Sequence, residues 1–401
     1  MTQREFDLVL LGATGFTGQL VARYLTHHSQ SGGRAMKWAL AGRNRSKLDT
    51  VVHDLGHDVP VIVADALDPK ACAELAARTR VICTTVGPYA KYGSEVVAAC
   101  AAAGTHYCDL TGEVHWMRAM IDAHHETAKQ TGARIVHTCG FDSIPSDLGC
   151  WATQQEFIKR HGHPASRVTA LYGETSGGFS GGTAASAFGL AEAMKDPAVR
   201  RVLGNPYGLD PDPKATRPRA PDDKTIGWDK GLGMFTAPFI MASTNSRVVR
   251  RAHALAGFPW GEDFVYREVM STPGNARGLA MAVGVTGALA GLAVAMMQPR
   301  LRTMLQKRAP QPGEGPDEKT RTNGHWKVRF VAERGPERLI YIVADPAGDP
   351  GYASTSKMLG ESALCLAFDS LSSPGGVQTP SIAMGAALLE RLRTAGLTFA
   401  A

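Results

Sequence analysis

Phe6-Asp7-Leu8-Val9-Leu10-Leu11-Gly12-Ala13-Thr14-Gly15-Phe16-Thr17-Gly18-Gln19-Leu20-Val21-Ala22-Arg23-Tyr24-Leu25 is the stretch that decides the fold. Its first six residues form the apolar run of a strand buried on both faces. After the glycines, Phe16, Leu20 and Tyr24, then Val21 and Leu25, recur at helical spacing. Strand, glycine-rich turn and helix in that order make a phosphate cradle. The glycines let the backbone approach a pyrophosphate, and the N–H groups and dipole of the helix start attract its charge. Gly12, Thr14, Gly15, Phe16, Thr17 and Gly18 are therefore expected to hold a dinucleotide. The spacing is GxxGxxG, not the GxGxxG of the main dinucleotide fingerprint, so the reading rests on the flanking strand and helix.

The second strand, Lys37-Trp38-Ala39-Leu40-Ala41-Gly42, ends at Arg43-Asn44-Arg45-Ser46-Lys47. In a dinucleotide fold this point lies beside the adenosine ribose. A carboxylate there takes the 2′-OH of NAD, whereas arginine suits the 2′-phosphate of NADP. The chain offers no carboxylate, and Arg43, Asn44 and Lys47 point to NADPH; the plain alternative is a solvated basic turn. A third strand, Val59 to Ala64, ends at Asp65, placed for the adenine edge. A fourth, Val81 to Val86, ends at Gly87-Pro88-Tyr89. Ligands of such sheets sit outside the carboxyl ends of the strands, which adds Gly87 and Pro88 to the expected cofactor set.

The 401 residues exceed one typical domain. Alternating strands and helices over 1–150 predict an α/β doubly wound parallel sheet of the Rossmann type. Residues 151–345 read as an α+β substrate or interaction domain, and 346–401 as helices returning to the first. Within the second part, 197–233 is rich in Pro, Asp and Arg and reads as an irregular surface loop. Trp326 to Val331 and Arg338 to Val343 alternate as an antiparallel pair. Two helices are expected to close the chain, at about 352–370 and 381–395.

Hydrophobic content of 44% and charged content of 20% suit a folded core without staples. A net charge of +6, scattered and without aromatic interleaving, argues against nucleic-acid binding. The seven cysteines form no CxxC or CxxH set, which fits a reducing cytoplasm. The first strand starts too early to leave room for a signal peptide. His53 and His57, and His124 and His125, lack a third ligand at metal spacing, so no metal is expected. Cys139 has no partnered base and reads as a small buried residue.

From Gly278 to Gln298 there are 21 residues without a charge. That length matches a bilayer, and Gly287 and Gly291 make a GxxxG pair. The Ala and Gly content weakens insertion, so a buried core helix or dimer-interface helix is the first expectation, and attachment to the inner face of the plasma membrane the second. The basic stretch from Arg300 to Arg308 could meet an acidic carrier protein.

Several strings occur in one order: GATGFTG, Gly87-Pro88-Tyr89, Tyr92-Gly93, Asp109-Leu110-Thr111-Gly112-Glu113 and Gly140-Phe141-Asp142-Ser143-Ile144-Pro145-Ser146-Asp147. Ser180-Gly181-Gly182-Thr183, PGEGP and Asp349-Pro350-Gly351-Tyr352 follow them. Together they resemble the saccharopine dehydrogenase-like oxidoreductases, and most closely their trans-acting enoyl reductase branch, over about residues 5–398. The resemblance implies an NADP-type Rossmann domain, an inserted α+β domain and a C-terminal return. It also implies reduction of a double bond on a polyketide or lipid chain held by a separate synthase. No arginine cluster near the sheet-end loops announces the amino-acid carboxylate site of a saccharopine enzyme.

Enoyl reduction needs hydride at the β-carbon, a proton at the α-carbon and donors for the charge growing on the carbonyl oxygen. Candidates lie where strands end: Tyr89 and Tyr92, Asp109 and Glu113, Asp142 and Ser143. Tyr92 is the preferred proton donor, and Asp142 a partner for the nicotinamide carboxamide. The plain alternatives are helix caps for the aspartates and packing for the tyrosines. Ser180 to Thr183 reads as a substrate-side loop or a turn. A reductase of imines or carbonyls, and a membrane-associated nucleotide-binding scaffold without turnover, are the competing functions.

Overall fold

The described residues of the computed structural model are 4–31, 35–141, 143–175, 181–215, 217, 222–309, 315 and 317–401. The apolar run before the glycine turn becomes β1 (Phe6–Leu11), in which Leu8, Val9 and Leu10 are wholly buried. Both its faces are covered by helices, so its side chains do not alternate between core and solvent. The strands β2 (Trp38–Gly42), β3 (Val61–Val63), β4 (Thr79–Thr84), β5 (His106–Cys108) and β6 (Arg134–Val136) follow. Helices α1 (Phe16–Gln30), α2 (Arg45–Leu55), α3 (Pro69–Arg78), α4 (Tyr89–Tyr92), α5 (Ser94–Ala103) and α6 (Val114–Thr131) connect them.

The chain continues through α7 (Ile144–His161), β7 (Arg167–Thr175), α8 (Gly181–Ala193), α9 (Pro197–Gly204), β8 (Gly227–Asp229) and β9 (Met234–Pro238). Next come α10 (Ala242–Leu255), β10 (Val265–Thr272), α11 (Ala276–Met297), α12 (Pro299–Arg308) and α13 (Glu318–Thr322). The last elements are β11 (Trp326–Arg334), β12 (Glu337–Asp345), α14 (Thr355–Phe368), β13 (Gly376–Gln378), α15 (Pro380–Ala383), α16 (Gly385–Thr394) and β14 (Thr398–Ala400).

Seven strands form the first sheet in the order β13-β6-β5-β4-β1-β2-β3, every pair parallel. The expected doubly wound sheet is present, and its strand order reverses between β1 and β4. That reversal opens a crevice at the carboxyl ends, directly over the glycine turn. The second sheet runs β14-β12-β11-β7-β10-β9-β8; β7 and β10 pair in parallel and the rest antiparallel. β11 and β12 pair as expected. One apolar core, including Leu8, Leu148 and Phe330, is continuous from the first sheet through α7 to the second. Close packing at Gly149 explains a glycine inside α7: a Cβ there would lie 2.7 Å from the Phe330 ring.

Three expectations need correction. The segment 197–233 is not an irregular loop throughout, since it holds α9 and β8 and sends 203–210 against α10. The closing helices differ as well: a π-helical turn at Pro350–Ser354 precedes α14, and the last helix breaks at Met384 into α15 and α16. Finally, α11 is not a core helix. Gly278 and Ala282 are its only buried residues, because just its first turns meet β9 and β10.

Candidate active site

Gly12 takes φ of +91°, and a Cβ there would lie 2.7 Å from Val86 Cγ2. At Gly18 a Cβ would lie 2.2 Å from the Gly12 carbonyl oxygen. The turn is thus folded against itself and against the end of β4, and only glycine fits both places. Thr85 Oγ1 donates to the Gly12 carbonyl at 3.1 Å and locks the two loops together. Thr14, Gly15, Phe16 and Thr17 remain partly open to the crevice. Gly15 is the N-cap of α1; it brings no capping side chain, and no acidic residue lies in the first turn. The positive helix end is therefore left to a ligand, with no acidic residue in its own first turn to repel phosphate. The cradle fits a dinucleotide pyrophosphate.

Arg43 and Lys47 stand exposed beyond the end of β2. Asn44 accepts from the Lys47 N–H at 3.0 Å through Oδ1, so it caps α2 and shapes this basic turn. Asp65 accepts from the Leu67 N–H at 3.0 Å and orders the turn after β3. Gly87-Pro88 is a cis peptide at the far wall of the crevice, where α4 begins.

That wall is held by Glu113, whose carboxylate accepts from the Tyr89 and Ala90 N–H groups, each at 2.9 Å, and from Ser186 Oγ of α8 at 2.9 Å. Tyr89 is buried, and its hydroxyl donates to the Thr84 carbonyl at 3.1 Å. Burial pushes this phenol well above its usual range. The geometry gives Tyr89 a packing role rather than a proton to hand over. Tyr92 is half-buried, and its hydroxyl has no hydrogen-bond partner among the described residues.

Asp109 caps no helix. Its Oδ1 accepts from the Thr111 and Thr138 N–H groups at 3.0 Å each, and its Oδ2 lies 2.8 Å from both Tyr107 Oη and His137 Nδ1. It thereby joins the ends of β5 and β6. Asp142 and Ser180 lie outside the described residues, as do the side chains of 181–184 and the PGEGP string apart from Gly315.

Sequence reading named Ser143 but missed the polar cluster that it joins behind Phe141. Ser143 Oγ donates to Asn245 Oδ1 at 2.9 Å, and Asn245 Nδ2 donates to Glu268 Oε1 at 3.1 Å. Ser146 Oγ donates to the same oxygen at 2.7 Å and lies 2.8 Å from Tyr172 Oη. Phe239 stacks on Tyr172 with centroids 4.1 Å apart, and Phe141 meets it edge-on. Burial raises the Glu268 carboxyl to about 7, against the lowering effect of these hydrogen bonds. A signal was available: Tyr266 and Glu268 share one face of β10, so a carboxylate occupies an inward position.

An arginine cluster exists after all, formed by Arg118, Arg247, Arg250 and Arg251. These side chains bond the carbonyls of Leu203, Asn205, Pro206, Leu209, Asp210 and Val377, and Arg247 also pairs with Asp222. They pin the 203–210 segment against α10 and β13. A surface cavity of about 280 Å³, lined by Phe6, Lys37, Trp38 and His57 among others, lies at the amino ends of β1 and β2. It is on the side of the sheet away from the glycine turn, where such folds do not bind ligands.

Residues 8–136 match the saccharopine dehydrogenase NADP binding domain. A trans-acting enoyl reductase of Mycobacterium ulcerans is 38% identical, covering 100% of this chain and 98% of its own. One of Mycobacterium bovis is 39% identical, covering 98% and 97%. A Mycobacterium tuberculosis chain provisionally named a trans-acting enoyl reductase is 42% identical, covering 99% and 97%. The apo saccharopine dehydrogenase (L-Glu forming) of Saccharomyces cerevisiae shares the fold, with a TM-score of 0.54 at 12% identity over 98% of both chains. With a cradle of this form and full-length identity at this level, the chain belongs to the trans-acting enoyl reductase family, built on a saccharopine dehydrogenase-like NADP-binding scaffold.

Proposed function

We propose that the protein is an NADPH-dependent enoyl reductase that saturates a carbon–carbon double bond in an acyl or polyketide chain carried by a separate synthase. The observation that carries this reading is the uncapped glycine cradle over the β1–β4 switch point, together with the basic turn after β2. Relatives named for the reaction at 38–42% identity support the choice of chemistry.

Gly12, Thr14, Gly15, Phe16, Thr17 and Gly18 would hold the pyrophosphate, Arg43 and Lys47 the 2′-phosphate, Asp65 the adenine side, and Gly87 and Pro88 the far wall. Bound there, the nicotinamide supplies hydride for the β-carbon. The protein's own groups then deliver a proton to the α-carbon. In this reading Tyr92 is the donor, being partly open at the end of α4 with its hydroxyl uncommitted. A second reading uses the Glu268–Ser146–Tyr172 chain as the proton store, favoured by a buried carboxyl held near neutrality.

The test follows NADPH oxidation with matched enoyl and keto thioesters of one chain. Selective turnover of the enoyl substrate is expected; turnover of the keto thioester alone would make this a carbonyl reductase, and none with either would favour the scaffold reading. Tyr92→Phe is expected to lower kcat by about a hundredfold or more with NADPH affinity unchanged. If Tyr172→Phe shows that loss instead, the donor is in the buried chain.

A further inference from the structure

α11 runs for 22 residues, and its exposed side chains are those of a protein interior. Leu279, Met281, Val283, Leu292, Val294 and Met297 are between 41% and 76% exposed. At about 100° per residue, Leu279, Val283, Val294 and Met297 fall on one side, and Met281 and Leu292 nearly opposite. A protein partner would cover a single stripe, whereas a fluid hydrocarbon medium wets both sides. Arg277 lies in the first turn of the helix, which is followed from Pro299 by α12, where Arg300, Lys307 and Arg308 are exposed beside exposed Leu301 and Met304. Basic and apolar side chains mixed on one short helix match the boundary between acyl chains and anionic headgroups.

The sheet order limits how deep the pair can go. β10, just before α11, and β11, just after α13, both pair with β7 in the second sheet. A single crossing of a bilayer would leave these neighbouring strands on opposite sides of it. The short α12, with its charges, is no return span. The helix pair must therefore enter and leave from the same side.

We propose that α11 and α12 dock the enzyme on an anionic phospholipid surface, α11 sunk in the acyl boundary and the basic side chains of α12 among the headgroups. α8 links this surface to the crevice. Its Glu192 pairs with Arg302 of α12 at 3.0 Å, and its Ser186 bonds Glu113 at the end of β5. An apolar chain leaving the bilayer would reach the crevice along α8. The docking itself does not depend on which reaction the site performs.

The full chain is sedimented with vesicles of phosphatidylcholine alone and of phosphatidylcholine mixed with phosphatidylglycerol. Binding to the mixed vesicles is expected, weakening as salt is raised. Val283→Asp with Val294→Asp is expected to abolish it. Arg300→Glu, Lys307→Glu and Arg308→Glu together should weaken it about a hundredfold or more. All these positions are exposed, and retained NADPH binding shows that each variant is folded. A protein that stays in the supernatant with both vesicles overturns the proposal. So does vesicle binding insensitive to the aspartates. A concentration-dependent dimer abolished by the aspartates, without vesicle binding, would assign the helix to a second copy. Impaired turnover of carrier-bound substrate by the charge reversals, again without vesicle binding, would assign the basic face to a carrier protein.

Discussion

In the proposed function, cofactor choice turns on Arg43. It stands free of the core at the end of β2, on a turn shaped by the Asn44 cap, and the sequence offers no carboxylate between β2 and Asp49 to receive a ribose hydroxyl. Arg43→Ala is expected to weaken NADPH by about tenfold or more, roughly 1.4 kcal/mol, and to leave NADH unchanged. Side-by-side titration checks this, and equal loss of both nucleotides would remove Arg43 from phosphate recognition. The form of the glycine turn and the exposed basic turn at Arg43 were legible because neighbours in sequence define both. The role of Asp109 was not. It depends on His137 and Thr138 reached across strands, so the aspartate that looked like a cap is a strand-to-strand tie.

Among elements, α10 carries a role that no local pattern announces. It holds three arginines in Arg247-Val248-Val249-Arg250-Arg251, and all three are buried. Arg251 donates to the carbonyls of Leu209 and Val377, and burial beside Arg118 lowers its guanidinium to about 9. Replacing it by methionine keeps the stem and leaves both carbonyls without this donor. Arg251→Met is expected to destabilise the fold by about 3 kcal/mol, measured by urea unfolding. A change below about 0.5 kcal/mol would show the carbonyls finding other partners. The loop expected for 197–233 holds only in part for the same reason, since its Pro and Asp content describes local breaks and not α9, β8 or the arginines that collect its carbonyls. The core expectation for α11 fails differently: an apolar run reports that a helix avoids water, and not whether protein or lipid covers it.

At the scale of the whole molecule, the two sheets are fastened by buried acids. Glu268 on β10 takes hydrogen bonds from α7 and α10, and Asp147 on α7 accepts from the Ser381 N–H and Oγ of α15 at 2.7 and 2.8 Å. Burial holds the Glu268 carboxyl at about 7 and that of Asp147 at about 6. Between an ordinary carboxyl pKa of 4.5 and about 7, the unfolded chain releases the Glu268 proton while the folded protein keeps it. Stability from this group is therefore present at low pH and lost as pH rises through that window. Glu268→Gln retains the acceptor for Ser146 and Asn245 and does not titrate. Its melting temperature relative to the native protein should climb from pH 5 to pH 8, by the equivalent of at most about 3 kcal/mol. A difference that stays flat with pH would mean that Glu268 ionises as an ordinary surface acid.

The late placement of β13 and β14 bears on how the protein is born. β6 has no outer neighbour until β13 arrives, nor β12 until β14, and both come from residues 376–400. Until those residues leave the ribosome, each sheet has an open rim of backbone N–H and C=O groups, the template on which nascent chains aggregate. Both rims are covered by strands from one stretch, residues 376–400. A chain that stops before residue 376 would thus be a sticky one, not a weakened reductase.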